Sequence, residues 1–193
     1  MITQGEVAAL EQRRQAEGTR RAVINGLERD PELGFVVTER NGAVLVDAGK
    51  ENGWTGGYAL GMSGSFSEED ADWFVSFFVQ RGIAPRTNLN PFAAVESLNV
   101  LGQRGFVPRA FENLWFHSLS EVAAVSFPEG IRIEVVDRDD SEMVEAIGDL
   151  VAGYEAGKAP ESELLENARR SMRIVAWDEW CRLFVARDAG GTA

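Results

Sequence analysis

An Asn-Gly pair between two apolar runs is the feature that most restricts the fold of this chain. The runs are FVVTE, residues 35–39, and AVLVD, residues 43–47, and they are separated by Arg40, Asn41 and Gly42. Asparagine and glycine adopt the positive φ angles of a tight hairpin turn at little steric cost. The sequence therefore predicts a β-hairpin over these residues.

A helix is predicted before the hairpin. Thr3 and Glu6 have the spacing of a capping box, and the stretch from there to about Leu27 is rich in residues that favour helix. Gly18 weakens its middle by roughly 1 kcal/mol, so we expect one long or one broken surface helix.

Strands and helices are predicted to alternate after the hairpin. YALGM, residues 58–62, is a short apolar run typical of a central strand. Ser67 and Asp70 have the spacing of a helix cap, and apolar residues recur at helical intervals from there to Arg81. IAPRTNL, residues 83–89, is predicted to be the next strand.

A further helix and strand complete this first region. Asn90 can cap a helix and Pro91 can occupy its first position. The apolar side of this predicted helix consists of Phe92, Val95, Leu98 and Leu101. We expect it to end near Gly102 or Gly105, with FENLWFHSL, residues 111–119, as the returning strand. Residues 1–120 are thus predicted to form an α/β domain with a partly parallel sheet.

The pattern then begins again. Residues 121–130 are interpreted as a linker, followed by the strand IRIEVV, residues 131–136, and a helix with Met143, Ile147, Leu150, Val151 and Tyr154. A helical stretch from Ser162 to about Met172 and the strand CRLFVARD, residues 181–188, come next. Residues 131–193 are interpreted as an incomplete second domain.

The last predicted strand runs into Asp188, Ala189 and Gly190, a composition typical of a hairpin turn. No returning strand follows, and an unpaired strand edge exposes backbone hydrogen-bonding groups. We therefore expect the natural chain to continue and this form to self-associate through the last strand; a frayed glycine-rich tail is the alternative.

Composition restricts the function. The formal net charge of −12 repels phosphate backbones and anionic lipids, so neither nucleic acid nor a membrane is an expected partner. No apolar run approaches the roughly 20 residues of a membrane span, and no signal peptide is evident, which indicates a cytoplasmic protein. With one cysteine, Cys181, and one histidine, His117, we expect neither a disulfide framework nor a metal site.

Several residues allow a functional and a structural interpretation. His117 shares a strand face with Asn113 and Trp115 and is either a general base or a hydrogen-bonded sheet histidine. Tryptophans can line a ligand cleft, but core packing accounts for most of Trp54, Trp73, Trp115, Trp177 and Trp180.

Acidic residues and the cysteine have similar alternatives. Glu112, Asp137, Asp139 and Asp140 could attract a cation, or they are solvated carboxylates of loops and helix starts. Cys181 lies among apolar residues that raise a thiol pKa, so we do not expect it to be a nucleophile.

Residues 58–119 carry a family resemblance. YALGMSGS, the helix SEEDADWFVSFFVQRG, the segment APRTNLNPFAAVESLNVLGQRGF and the strand FENLWFHSL together resemble the second half of the GNAT N-acetyltransferase fold. Within this, Leu101, Gly102, Gly105 and Phe106 are similar to the end of the last GNAT helix. Residues from Ile131 onward resemble the start of a second copy, as in tandem GNAT proteins with a degenerate first domain.

The resemblance implies a cofactor and a site. GNAT enzymes bind the acyl-CoA pyrophosphate on backbone amides at a helix N-terminus. The corresponding loop here is Gly61, Met62, Ser63, Gly64 and Ser65, which is the candidate acetyl-CoA site; a plain strand-to-helix turn is the default interpretation of the same residues. The usual family pattern of arginine or glutamine with spaced glycines is missing, and Glu68, Glu69 and Asp70 open the next helix, where they repel a pyrophosphate.

Two functions follow from the resemblance. The first is an N-acetyltransferase in which a small-molecule or peptide amine attacks the acetyl-CoA thioester, with the catalytic residues, which are not identified, in the second domain of the full-length protein. The second is a non-catalytic GNAT-like module that binds a ligand or packs against another domain. The absent CoA pattern favours the second function for this chain alone.

Overall fold

Helices and short strands alternate along the described part of the chain. The computed structural model describes residues 3–50, 52–112, 128–156, 161–188 and 190, with the side chains of residues 155 and 156 excepted. The helices are α1 (Gln4–Arg29), α2 (Glu68–Val79), α3 (Val95–Gln103), α4 (Ser141–Ala156) and α5 (Ser162–Trp177). The strands are β1 (Val36–Arg40), β2 (Ala43–Asp47), β3 (Gly56–Tyr58), β4 (Arg132–Val135) and β5 (Phe184–Arg187). The predicted α/β class is confirmed at this level.

The predicted hairpin is the centre of the first sheet. β1 pairs antiparallel with β2, and β2 pairs antiparallel with β3. The turn residues Asn41 and Gly42 have φ angles of 51° and 78°, as the Asn-Gly pair predicts. β2 is therefore the middle strand of an antiparallel sheet.

Both faces of this sheet are covered. The β2 side chains alternate, because successive residues of a strand point to opposite faces. Ala43 and Leu45 join a core with α2 and α3 that includes Phe74 and Phe78. Val44 and Val46 join a second core with α1 and α5. Burial on both faces explains why β2 is a continuous apolar run rather than an alternating one.

α1 and α5 form the layer over the Val44 and Val46 face. The capping box of Thr3 and Glu6 is present, and α1 continues without a break through Gly18. Val23 of α1 is fully buried, and Ile174 of α5 is 1% exposed in the same core. A helix from the last third of the chain thus shares a core with the first sheet.

A buried ion pair holds α5 to α1. Nε of Arg21 lies 3.2 and 3.1 Å from the two carboxylate oxygens of Asp178, and Nη2 lies 3.1 Å from Oδ2. The Asp178 side chain is 1% exposed, and its carboxylate also accepts a hydrogen bond from the backbone N–H of Trp180. Burial raises the pKa of Asp178, but the bonds from Arg21 and Trp180 outweigh it, and the pKa lies below its ordinary value.

α4 packs closely on α5. A Cβ on Gly148 would lie 2.7 Å from the Cα of Arg169, so this contact requires glycine. Arg169 pairs with Asp149 at 2.5 Å and Arg173 pairs with Glu145 at 3.1 Å across the two helices. β4 and β5 form a separate two-stranded antiparallel sheet, and Arg187 of β5 contacts Met143 of α4.

The predicted strand over residues 58–62 is wrong in its position. β3 ends at Tyr58, and Ala59 has a φ of 57°, outside the range of a strand. The N–H of Met62 then donates to the carbonyl of Ala59 and closes a turn. The segment that looked like a central strand is mostly the turn that leaves the sheet.

The predicted strand over residues 83–89 is reduced to one bridge. Thr87 forms a parallel bridge with Gly57. The named strands of the described residues all pair antiparallel. Pro85 has no N–H to donate to a ladder. The partly parallel sheet is thus realised only at this bridge.

The following helix starts later than predicted. Asn90 does accept a bond from the N–H of Phe92, but Ala94 has ψ of 133°, which interrupts the helical backbone before Val95. Phe92, Val95 and Leu98 are 55%, 70% and 57% exposed, although the spacing placed them on the apolar side of the predicted helix. Leu101 is buried as predicted, and Gly105 has the left-handed φ of 81° expected after the helix end.

The last strand has a partner that sequence reasoning missed. β5 pairs along its length with β4, from Val135 opposite Phe184 to Arg132 opposite Arg187. β5 is therefore paired on one side with β4, and the expected self-association through this strand stays a prediction. The predicted strand over 111–119 from residue 113 onward, and most of the linker 121–130, lie outside the described residues.

The division into residues 1–120 and 131–193 remains a prediction. The contacts of Ile174 and Asp178 with α1 and the first sheet join elements from both sides of that division.

Replacing Arg21 should show how much the ion pair contributes. Arg21→Gln leaves a buried carboxylate without its cation, so we expect the free energy of unfolding to fall by about 2 kcal/mol, less than for a fully buried pair because the Arg21 side chain is 38% exposed. Arg20→Gln is the matched control, since Arg20 pairs with Glu39 at an exposed site and should lose less than about 1 kcal/mol. Equal losses measured by urea denaturation would contradict this assignment.

The same variant should show a pH dependence. Because the folded-state pKa of Asp178 is lowered, the pair stabilises the fold above the unfolded pKa of about 3.9 and is lost as pH falls through the lower folded-state value. The stability difference between wild type and Arg21→Gln should therefore be largest near neutral pH and shrink below about pH 4. A difference that stays constant from pH 7 to 3 would count against an ionic origin.

Candidate functional site

The loop predicted to bind acetyl-CoA lies between the turn after β3 and the start of α2. Gly61 has a φ of 71° and Gly64 a φ of 135°, which favour glycine at both positions. A Cβ on Gly42 would lie 2.3 Å from Oγ of Ser63, so the loop rests on the turn of the β1–β2 hairpin. Gly61, Met62, Ser63, Gly64 and Ser65 are thus held between the hairpin and α2.

α2 begins with a complete capping box. Oγ of Ser67 accepts the N–H of Asp70 at 3.2 Å, and a carboxylate oxygen of Asp70 accepts the Ser67 N–H at 2.9 Å and its hydroxyl at 2.8 Å. The cap that the Ser67 and Asp70 spacing predicts is therefore confirmed. One carboxylate of the chain itself already lies at the positive end of the helix dipole.

Asp70 also bonds to two polar side chains of the hairpin turn, those of Asn41 and Arg40. Its Oδ1 accepts a bond from Nδ2 of Asn41 at 3.0 Å and pairs with Nε of Arg40 at 3.0 Å. Burial raises the pKa of Asp70, but the bonds from Ser67, then Asn41, and the charge of Arg40 outweigh burial, and the pKa lies below its ordinary value. The carboxylate is ionised and fully hydrogen-bonded at neutral pH.

The arginines near this loop are already paired with first-turn carboxylates. Arg40 pairs with Glu69 at 2.8 Å in addition to Asp70. Arg104 pairs with Glu68 at 2.5 Å and with Asp72 at 2.6 Å. A bound phosphate would have to compete with these carboxylates for the same cations and would meet their negative charge.

The space beside the loop is small. Arg40, Asn41, Gly61, Gly64 and Ser65 border a cavity of about 10 Å³, which is close to the volume needed for one water molecule. The cap and the charges at this helix start oppose a bound pyrophosphate, and the acetyl-CoA site at residues 61–65 stays a prediction.

Ser97 is a residue of this site that sequence reasoning missed. It is fully buried on α3, its N–H donates to the carbonyl of Ala94, and its Oγ has no hydrogen-bond partner among the described residues. A Cβ on Gly61 would lie 2.1 Å from that Oγ, so Gly61 and Ser97 are in direct contact. The N–H of Ala94 also donates to the carbonyl of Gly61, which fixes the loop to the start of α3.

The other candidate residues are distributed over the molecule. Asp140 caps α4 by accepting the N–H of Met143, and Asp137 accepts the N–H of Asp139, so these carboxylates have structural partners. Glu112 is exposed, whereas Asn113, Trp115 and His117 lie outside the described residues. Among the described residues, no group of three or more histidine, cysteine, aspartate or glutamate side chains could hold a metal ion.

The four tryptophans in the described part of the chain and Cys181 do not converge on the loop as one set. Trp54 and Trp177 pack on the core with α1 and α5, Trp73 packs on the other core, and Trp180 is 73% exposed. Burial and the neighbouring carboxylate of Asp178 raise the pKa of Cys181, as its apolar setting predicted.

Comparison with protein-family models, curated proteins and solved structures finds no match to this chain. In the part of the chain that the structure describes, no helix combines the length and apolarity needed to cross a membrane.

Substitution of Gly61 should destabilise the loop. Gly61→Ala places a Cβ against Oγ of Ser97 at a backbone φ of 71°, so we expect a loss of roughly 1–3 kcal/mol in the free energy of unfolding. Gly102→Ala is the control, because nothing lies within 4 Å of a Cβ there and its backbone lies in a helix. Thermal unfolding that lowers the melting temperature of both variants equally would contradict the contact.

Removing the Ser97 hydroxyl should not destabilise the protein, in contrast to the substitution of Gly61. Oγ of Ser97 is buried without a partner, so Ser97→Ala removes a desolvated polar group at little cost in packing. We expect the free energy of unfolding to stay unchanged or rise by up to about 1 kcal/mol. A loss greater than about 1 kcal/mol in the same assay would mean that the hydroxyl makes a stabilising hydrogen bond.

Proposed function

We propose that the described part of this chain is a non-catalytic GNAT-like module, which binds a ligand or packs against another domain without using the loop of residues 61–65 for acetyl transfer. The observation that carries this proposal is that the N-terminus of α2 is already capped and surrounded by ion pairs within the chain. Asp70 caps it, and Arg40 and Arg104 are paired with carboxylates of its first turn and of Asp72. A phosphate would have to displace these interactions before it could bind.

The fold supports the GNAT part of the proposal through its order of elements. α2, the Thr87 bridge and α3 follow one another after β3, and this part of the element order agrees with the resemblance, whereas residues 59–62 form a turn instead of the expected strand. We also propose a cytoplasmic location, which rests on the sequence pattern described above rather than on the fold.

The second candidate is an N-acetyltransferase whose chemistry lies in a second domain. One observation favours it: β4, α4, α5 and β5 follow one another as an opening strand, two helices and one further strand. This is the order that the resemblance implies for residues 131–193. The acceptor in that case is a small-molecule or peptide amine.

Isothermal titration with acetyl-CoA separates the two candidates. We expect no saturable heat with the wild-type chain, because the first turn of α2 carries Glu68, Glu69 and Asp70 and the adjacent cavity is about 10 Å³. Saturable binding would contradict the module. It would support an acetyl-CoA site at the loop if Gly64→Leu weakened it while Gly53→Leu, at an exposed position with nothing within 4 Å, left it unchanged.

A further inference from the structure

A cleft of about 230 Å³ lies between the C-terminal end of α1 and α5, away from the loop of residues 61–65. Its apolar part consists of Leu33, Ile174 and the half-buried ring of Trp177. A Cβ on Gly26 would lie 3.3 Å from both Ile174 and Leu33, so the glycine lets these two side chains meet α1 closely. The base of the cleft is therefore continuous with the core that contains Ile174.

The two sides of the cleft carry opposite charges. Arg170 and Arg173 lie on the α5 side, and Asp30 and Glu32 lie at the short 3-10 helix Pro31–Leu33 that follows α1. Within the described ranges, no hydrogen bond or ion pair joins either arginine to either carboxylate. Opposite charges thus border the same space without neutralising each other.

Two of these four groups, those of Arg170 and Glu32, have no side-chain partner among the described residues. Arg173 is paired with Glu145 and Glu166, and Asp30 accepts the backbone N–H of Glu32. By contrast, neither the guanidinium of Arg170 nor the carboxylate of Glu32 bonds to another side chain of the described residues. A ligand that meets both would form two charge-assisted bonds without breaking an existing one.

The remaining features set the size and polarity of that ligand. The volume is below the roughly 300–1,000 Å³ of sites for drug-sized ligands, so the cleft suits a molecule of amino-acid size. Leu33, Ile174 and Trp177 offer an apolar surface in the same cleft. The guanidinium of Arg29, 5.6 Å from the Trp177 ring centroid, adds positive charge near the α5 side.

We propose that this cleft binds a small zwitterion, a free α-amino acid with an apolar side chain. Its carboxylate pairs with Arg170, its ammonium group pairs with Glu32, and its side chain packs on Leu33, Ile174 and Trp177. This proposal is independent of acetyl-CoA and of the loop at the start of α2. It assigns the chain an amino-acid-binding site.

Titration calorimetry with L-leucine tests the proposal on the full chain. We expect saturable one-site binding, and about tenfold weaker binding to Arg170→Gln and to Glu32→Gln, because each variant loses one charge-assisted bond. Arg182→Gln is the matched control, since Arg182 is an exposed arginine outside the cleft, and it should bind leucine like the wild type.

Two analogues test the charges without altering the protein. L-leucinamide lacks the carboxylate and N-acetyl-L-leucine lacks the ammonium group, and we expect each to bind wild type about tenfold more weakly than leucine. Absence of saturable leucine binding would overturn the proposal. So would either analogue binding as tightly as leucine, a result that stands even if a variant fails to fold.

Discussion

The contact between Arg21 and Asp178 is the interaction on which the arrangement of this molecule depends. A carboxylate that is 1% exposed stabilises the fold only when a cation and backbone donors satisfy it, and Arg21 supplies that cation from the middle of α1. The pair fixes the end of α5 on α1, beside the core position of Ile174. The ion pair thus adds to the packing of Ile174 in keeping α5 over the Val44 and Val46 face of the sheet.

A second buried carboxylate, Asp70, organises the opposite side of the sheet. It is shared by the cap of α2 and by the hairpin residues Arg40 and Asn41, so a single side chain joins the start of α2 to the hairpin turn. The same bonds place a negative charge where a GNAT enzyme would bind pyrophosphate. The cap of α2 requires a carboxylate at the start of the helix, whereas a bound anion would be repelled by that carboxylate. For this reason a non-catalytic module is the better proposal.

Sequence reasoning was most accurate where short-range interactions decide the structure. The capping boxes at Thr3 and Ser67 and the Asn-Gly turn involve residues at most three positions apart, so their spacing is visible in the chain. It was least accurate where the backbone leaves the common conformations. The left-handed Ala59 interrupts the strand predicted at residues 58–62, and the extended Ala94 delays the start of the helix predicted from Asn90. Alanine carries no local signal for either conformation.

The sequence by itself determined the order and type of most elements, the central hairpin and the small residues of the candidate loop. Only the tertiary structure decided that β5 pairs with β4, that α5 covers the first sheet with α1, and that Ser97 lies against Gly61. Helical and strand periodicity report which side of an element is apolar, but not which distant element covers it. That choice depends on burial and ion pairing summed over the whole fold, as with Asp178 and Arg21, and no local window of the sequence contains both partners.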